Sequence, residues 1–154
     1  MAFKVNVDIN KEFDVPADFD KVFDLLSSVP DSVSHFPKVD QLVDMGDNTF
    51  RWEMEKIGIQ KYYIQTVYAC KYESDKDAGS ITWTPVSDVG NAEIKGSWKI
   101  TKQGDRTHAA LNTGGVLTLP FPGLAKMVIA PFASKEFEGM VDQYIENLKT
   151  FFNG

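Results

Sequence analysis

Few side chains in this sequence are suited to catalysis or metal binding. The two histidines, His35 and His108, lie far apart, and neither has an acid and a nucleophile at the spacing of a known catalytic set. With Cys70 as the single cysteine, a tetrahedral zinc site would need an unusual number of carboxylates. We therefore predict no metal site and no cofactor, and the sequence identifies no catalytic residue.

Polar side chains within predicted strands are better candidates for orienting a ligand. They are Tyr62, Gln65, His108 and Asn112. A hydroxyl, amide or imidazole that points into a cavity can position a ligand through one or two hydrogen bonds. The strand phase leaves both the inward and the outward orientation open for each of them.

Composition and charge narrow the possible partners. The formal net charge of −6 and the pI of about 4.9 disfavour binding to nucleic acid, because the average surface repels phosphate. The apolar stretch from 127 to 133 is far shorter than the roughly 20 residues of a membrane span. Neither an export signal nor a disulfide pair is evident, so we expect a cytoplasmic protein without stable membrane insertion, a monomer or weak dimer.

The aromatic content is high for a chain of 154 residues, with eleven Phe, five Tyr and three Trp. A chain of this length forms one domain by default, and nothing resembling a linker or an internal repeat divides residues 1–154. The surplus of rings therefore predicts a large apolar interior or a pocket lined by aromatic side chains.

The N-terminal segments alternate between strand and helix patterns. Residues 3–10 are apolar at every second position, which is typical of a half-buried strand. Apolar residues from Phe19 to Leu26 then follow at helical spacing, with Asp18 as the predicted N-cap. A second helical turn is expected from Asp31 to His35, before Phe36 and Pro37.

From 39 to 119 the pattern predicts successive strands joined by short turns, which favours an antiparallel meander. Within it, Ile57-Gly58-Ile59 is interpreted as a bend and 60–72 as one long strand. A long helix should follow to about Phe152, with an apolar stripe at Phe137, Val141, Tyr144, Leu148 and Phe151. Pro131 predicts a kink or a break in that helix, whose first half would then act as a lid.

A strand, two short helices, six further strands and a long terminal helix resemble the START-like helix-grip (SRPBCC) superfamily. This superfamily includes lipid-transfer START domains, polyketide cyclase/aromatase-like proteins and relatives of the major birch-pollen allergen. The similarity rests on segments 15–26, 36–39 and 96–100 and on the terminal helix, although the commoner bacterial pattern has Trp where Phe36 stands. It implies an α+β fold in which a curved seven-stranded antiparallel sheet wraps around the long helix.

Such a fold leaves a cavity between the sheet and the helix. We predict that its walls include Trp52, Met54, Tyr62, Ile64, Tyr68, Trp83, Trp98, His108, Asn112 and Leu117 from the strands and Met127, Phe132, Phe137 and Met140 from the helix. Simple core packing is the alternative for each of them. The resemblance and the residues favour a non-catalytic binder or carrier of a lipid-like or polyketide-like molecule; the alternatives are a cyclase/aromatase-type enzyme and a protein-interaction module.

Overall fold

The computed structural model describes residues 2–153 and has the predicted α+β architecture. The strands are β1 (Phe3–Val15), β2 (Val39–Gly46), β3 (Thr49–Met54), β4 (Ile57–Ile59), β5 (Tyr62–Ile64), β6 (Val67–Asp75), β7 (Ser80–Pro85), β8 (Ala92–Gln103) and β9 (Arg106–Leu119). The helices are α1 (Phe19–Ser27), α2 (Val29–Val33) and α3 (Lys126–Asn153). Seven strands form one antiparallel sheet in the order β1-β9-β8-β7-β6-β3-β2.

The two longest strands, β1 and β9, pair along their whole common length, from Phe3 opposite Leu119 to Val15 opposite Thr107. Alternate residues of β1 are buried, as the apolar pattern of the sequence predicts. This pairing brings the first strand of the sheet beside the last one, and β1 also packs against the terminal helix α3.

The two short helices begin at or near their predicted positions. Asp18 caps α1 as predicted, because its carboxylate accepts a hydrogen bond of 2.8 Å from the Lys21 amide. Helix α2 begins at Val29, two residues before the predicted position. Pro30 fits its first turn, where a backbone N–H has no partner within the helix and its absence costs nothing.

The prediction of one strand over 60–72 was wrong. The chain leaves the main sheet there, and β4 and β5 form a separate two-stranded hairpin, so 57–59 is a strand and not a bend. Polar side chains stabilise the interruption: the Gln65 amide donates to the Met54 carbonyl (3.1 Å). The Asn91 amide donates to the Gln65 carbonyl (2.8 Å) and accepts from the Val67 N–H (2.9 Å).

Helix α3 follows a 3-10 turn at Gly123–Ala125 and continues through Pro131. Of the predicted kink or break, the break is therefore wrong, and the kink stays a prediction. Pro131 lies within the first two turns of the helix and removes a single hydrogen bond there. The apolar stripe is correct up to Leu148, but Phe152 and not Phe151 is buried at its end. Among residues 2–153, no helix is long and apolar enough to cross a membrane.

Ion pairs attach the middle of α3 to the rest of the fold. The Lys11 ammonium on β1 lies 3.0 Å from Glu138 and 3.1 Å from Asp142. The Lys38 ammonium, just before β2, lies 3.0 Å from Glu136. These pairs are largely exposed and therefore stabilise little, so the buried apolar stripe decides which face of α3 is turned towards the sheet.

Candidate ligand cavity

Two adjacent hollows lie between the main sheet and α3. The first, of about 60 Å³, is the ring hollow, named for Trp52, Tyr72, Trp83, Trp98 and Tyr144 in its walls. The second, of about 50 Å³, is the aliphatic hollow, lined by Val5, Met54, Ile64, Leu117, Ala133 and Met140 among others. Together they occupy the part of the interface that helix and sheet do not fill.

The walls of the ring hollow are built from interacting aromatic pairs. Trp52 on β3 stacks on Tyr68 of β6, with ring centres 5.4 Å apart and planes 18° apart. Tyr72 and Trp83 lie 5.9 Å apart on the paired strands β6 and β7. Phe36, which follows α2, packs edge-to-face with Trp52 at 5.4 Å and adds a further wall. These contacts give the hollow mainly aromatic walls, which suit an apolar ligand group.

The polar groups of the ring hollow bond mainly to one another. The Trp52 indole N–H donates to the Tyr72 hydroxyl at 2.9 Å, which leaves the Tyr72 proton able to donate to another group. The Ser32 hydroxyl on α2 is hydrogen-bonded to the Tyr144 hydroxyl on α3. Among residues 2–153, no buried side-chain nitrogen or oxygen lacks a partner. The hollow therefore offers hydrogen bonds to a ligand without containing an unsatisfied polar group.

Burial keeps the acidic side chains of this region protonated. It raises the pKa of Tyr68 and Tyr72 well above the usual value, and that of Tyr144 to about 12, although the Ser32 and Trp98 bonds lower it in part. Burial likewise raises the pKa of Cys70 to about 12, and its Sγ lies 3.2 Å from the Ile94 carbonyl oxygen. Near neutral pH these groups are neutral donors, not bases or nucleophiles.

Most of the predicted wall residues do line the two hollows. Trp52, Trp83 and Trp98 line the ring hollow; Met54, Ile64, Leu117 and Met140 line the aliphatic hollow; Tyr68 and Phe137 line both. Tyr62 and Phe132 are half-buried at the edge of the core and line neither hollow. Tyr62 instead packs on Phe121, with ring centres 5.0 Å apart, where the β4-β5 hairpin meets the loop before α3.

Three further predicted wall residues also line neither hollow. His108 and Asn112 are on the outer face of β9, where the His108 Nδ1 lies 2.6 Å from Asp14 and the Asn112 amide donates to Asn10 at 2.7 Å. The inward phase of β9 is that of Leu111 and Leu117, which excludes both polar residues. Met127 is 80% exposed, because it lies on the solvent side of the first turn of α3.

Several wall residues were missing from the sequence-based prediction. Tyr72 shares the phase of Tyr68, and Tyr144 lies two helical turns after Phe137, so strand and helix periods contained a signal for both. Thr113 also lines the ring hollow, and it shares the inward phase of Leu111 on β9. Ser32 lines the hollow too, but no local pattern marks it. Its position depends on contacts between segments far apart in the chain, such as that of Ser32 with Tyr144.

Residues 2–153 contain no candidate metal centre. Nowhere in this range do three or more His, Cys, Asp or Glu side chains lie close enough together to hold an ion. The chemistry that the cavity offers a ligand is that of its rings, aliphatic chains and hydroxyls.

A seven-stranded antiparallel sheet against one long helix, with apolar hollows between them, defines a helix-grip domain of the START-like class. Residues 6–152 match the model of one family, described as polyketide cyclase / dehydrase and lipid transport. The chain belongs to this family. No curated protein matches the sequence.

Solved structures support the same fold at low sequence identity. A protein of Thermus thermophilus is 15% identical, with a TM-score of 0.67 over 93% of this chain and 94% of that one. A START superfamily protein of Mycobacterium smegmatis is also 15% identical, with a TM-score of 0.66 over 94% and 96%. The Zhui aromatase/cyclase of a Streptomyces species is 14% identical, with a TM-score of 0.60 over 94% and 90%. At these identities the similarity shows the fold alone.

Proposed function

We propose that this protein binds and carries an apolar small molecule in the two hollows between its sheet and α3. The observation that carries the proposal is the lining of these hollows, which consists of rings and aliphatic chains with a few hydroxyls. Removing apolar ligand surface from water at such walls contributes about 25 cal/mol per Å². A binding function uses all of these features and requires no reactive group.

The hollows must enlarge before a ligand of lipid or polyketide size can enter. Their volumes of about 60 and 50 Å³ are far below the roughly 300–1,000 Å³ of pockets that hold drug-sized molecules. A ligand of lipid or polyketide size must therefore displace side chains or move α3 away from the sheet. Such a ligand would select a more open arrangement of helix and sheet, because it binds that arrangement better.

Native mass spectrometry of the freshly purified protein tests the proposal. We expect a bound apolar compound that solvent extraction releases, and less of it in Thr113→Leu, which adds bulk to the ring hollow. The matched control is Thr118→Leu on the exposed face of the same strand, which should retain the compound. The proposal fails if the protein is empty and also takes up no fluorescent fatty acid or alkylphenol.

The second candidate function is that of a cyclase or aromatase. The hydroxyls of Ser32, Tyr72 and Tyr144, which all line the ring hollow, favour it. Such an enzyme would order a flexible polyketone chain and move protons through these groups. Within residues 2–153 no histidine or carboxylate lines the ring hollow, and the carboxylate that lines the aliphatic hollow, Glu136, is paired with Lys38. The family match supports binding and cyclisation alike. We place binding first because it uses the apolar lining and needs no base in the ring hollow.

Turnover of a short polyketone thioester separates the two candidates. A carrier binds it unchanged in the wild type and in Tyr144→Phe alike. An enzyme cyclises it, and Tyr144→Phe then loses turnover while keeping its affinity for the substrate. Cyclised product in the wild type above the no-protein control would overturn the preference for a carrier.

A further inference from the structure

The two hollows are separated by a wall of three side chains, since Tyr68, Ile94 and Phe137 line both of them. Tyr68 and Ile94 are almost fully buried, on strands β6 and β8 in the middle of the sheet. Phe137 is only half-buried and extends from α3. Phe137 is therefore the part of the wall that can move without disturbing the sheet.

The turn of α3 before Phe137 carries a small residue. Side chains of an α-helix lean towards its N-terminus, so the Phe137 ring lies over the preceding turn. That turn presents Ala133, which has a single methyl group and lines the aliphatic hollow. A change of the Phe137 rotamer is therefore not blocked by a large side chain one turn away. Moving the ring would join the two hollows.

The chemistry of the two hollows differs. The ring hollow is lined mainly by aromatic side chains, with the hydroxyls of Ser32, Tyr72 and Thr113 among them. The aliphatic hollow is lined mainly by Val, Leu, Ile and Met side chains; Thr66 and the shared rings of Tyr68 and Phe137 also line it, and its one carboxylate, Glu136, is paired with Lys38. A planar group with hydrogen-bonding substituents suits the first hollow, and a hydrocarbon chain suits the second.

We propose that Phe137 is a movable partition and that the ligand is an amphiphile with a hydroxyl- or carbonyl-bearing ring in the ring hollow and an aliphatic arm in the aliphatic hollow. This inference rests on the proposed binding function and specifies its ligand class. Neither hollow alone is large enough for a ring with a chain, and the joined hollows also need the more open arrangement of helix and sheet described under the proposed function. The partition therefore opens when both parts of the ligand are present.

Isothermal titration calorimetry tests the ligand class by comparing the affinity for 4-hexylphenol with the affinities for phenol and for hexan-1-ol. If both hollows are used, 4-hexylphenol binds at least about tenfold more tightly than either component, because its ring and its chain are both buried. Ala133→Leu fills part of the aliphatic hollow and should reduce the affinity for 4-hexylphenol towards that for phenol. Leu117→Phe narrows the same hollow from the sheet side and serves as the second variant if the first is unstable. The matched control is Met127→Ala, an exposed position on the same helix.

Movement of the partition is measured at Phe137 itself. With 4-fluorophenylalanine incorporated at this position alone, the fluorine resonance should shift on adding 4-hexylphenol and shift much less with phenol. Phe137→Ala removes the partition, so 4-hexylphenol should then bind faster than it binds the wild type. An unchanged fluorine resonance at saturation with 4-hexylphenol would overturn the moving partition.

The outcomes distinguish this inference from the proposed function. If phenol and 4-hexylphenol bind with equal affinity, and neither Ala133→Leu nor Leu117→Phe changes this, the ligand uses one hollow only. The partition is then wrong, but the binding function stands. If none of the three probes binds and no compound is extracted from the purified protein, the binding function itself fails, and this inference fails with it.

Discussion

At the scale of single residues, Cys70 shows how burial determines reactivity. Its side chain has no exposed surface, and its sulfur lies against the Ile94 carbonyl. Desolvation disfavours the thiolate, which raises the pKa of Cys70 from 9.0 to about 12. The thiol is consequently a core group, although it is the only sulfhydryl in the chain.

This shift predicts how stability depends on alkaline pH. Because the pKa of Cys70 is raised in the folded state, its contribution to stability is fully present below pH 9.0 and is lost as pH rises towards about 12. We expect the free energy of unfolding to fall by about 1.4 kcal/mol per pH unit above that onset from this group alone. Urea unfolding at pH 8 to 11 should show a later onset in Cys70→Ala, because the next groups with a raised pKa, the buried tyrosines, have effects only above pH 10.0. Identical pH profiles for both proteins would contradict the prediction.

At the scale of elements, two glycines have opposite roles. Gly96 on β8 lies opposite Trp83 on β7, and a Cβ at Gly96 would collide with the Asn112 carbonyl and the Trp83 ring. The missing side chain therefore lets Trp83 lie across β8 and form a wall of the ring hollow. A Cβ at Gly139 on α3 would meet no atom within 4 Å, so the small size of this residue serves no contact.

Alanine substitutions at the two glycines should change stability in opposite directions. Gly96→Ala should destabilise the fold by about 1–3 kcal/mol, because backbone and ring must shift, and should alter the tryptophan fluorescence of the native state. Gly139→Ala should stabilise it by about 0.5–1 kcal/mol, because alanine favours the helix. Urea unfolding curves measure both values. Wild-type stability of Gly96→Ala would show that Trp83 can leave its position over β8 at no cost.

At the scale of the whole molecule, the cavity lies where two core clusters meet. One contains Ile129 and Ala133 from the first half of α3, and the other contains Val141 and Leu148 from the second half. Trp83 packs against both clusters. A ligand in the joined hollows would contact both clusters, so it would bind the folded domain and not the unfolded chain.

Ligand binding should therefore raise the melting temperature of the whole domain. At a free 4-hexylphenol concentration of one hundred times Kd, linkage predicts about 2.7 kcal/mol of added stability and an increase in Tm of several degrees. Differential scanning fluorimetry measures this increase. Thr118→Leu, which alters only the exposed face of β9, should give the same increase, whereas Thr113→Leu should give a smaller one. Equal increases in both variants would place the ligand outside the ring hollow.

The order of strands and helices was predictable from the sequence, because it depends on local periods and caps. The alternation in β1 and the helical stripe through Val141 and Leu148 each indicate a face that must be buried. The Asp18 cap marks the residue at which α1 begins. Leu111 and Leu117 share one phase of β9, and this signal alone places Asn112 on the outside. The inward assignment of His108 and Asn112 followed their polarity instead of that phase.

Tertiary structure decided the rest. The interruption of 60–72 depends on side-chain bonds from Asn91, some 26 residues beyond its carbonyl partner on Gln65. The pairing of Ser32 with Tyr144 joins groups 112 residues apart. A periodic pattern shows which face of an element is buried, but not what it meets there, and the volume of a cavity is the small remainder left when all facing side chains have packed. The sequence by itself therefore determined that a helix lies on a sheet, and only the folded chain determined that Phe137 divides the space between them.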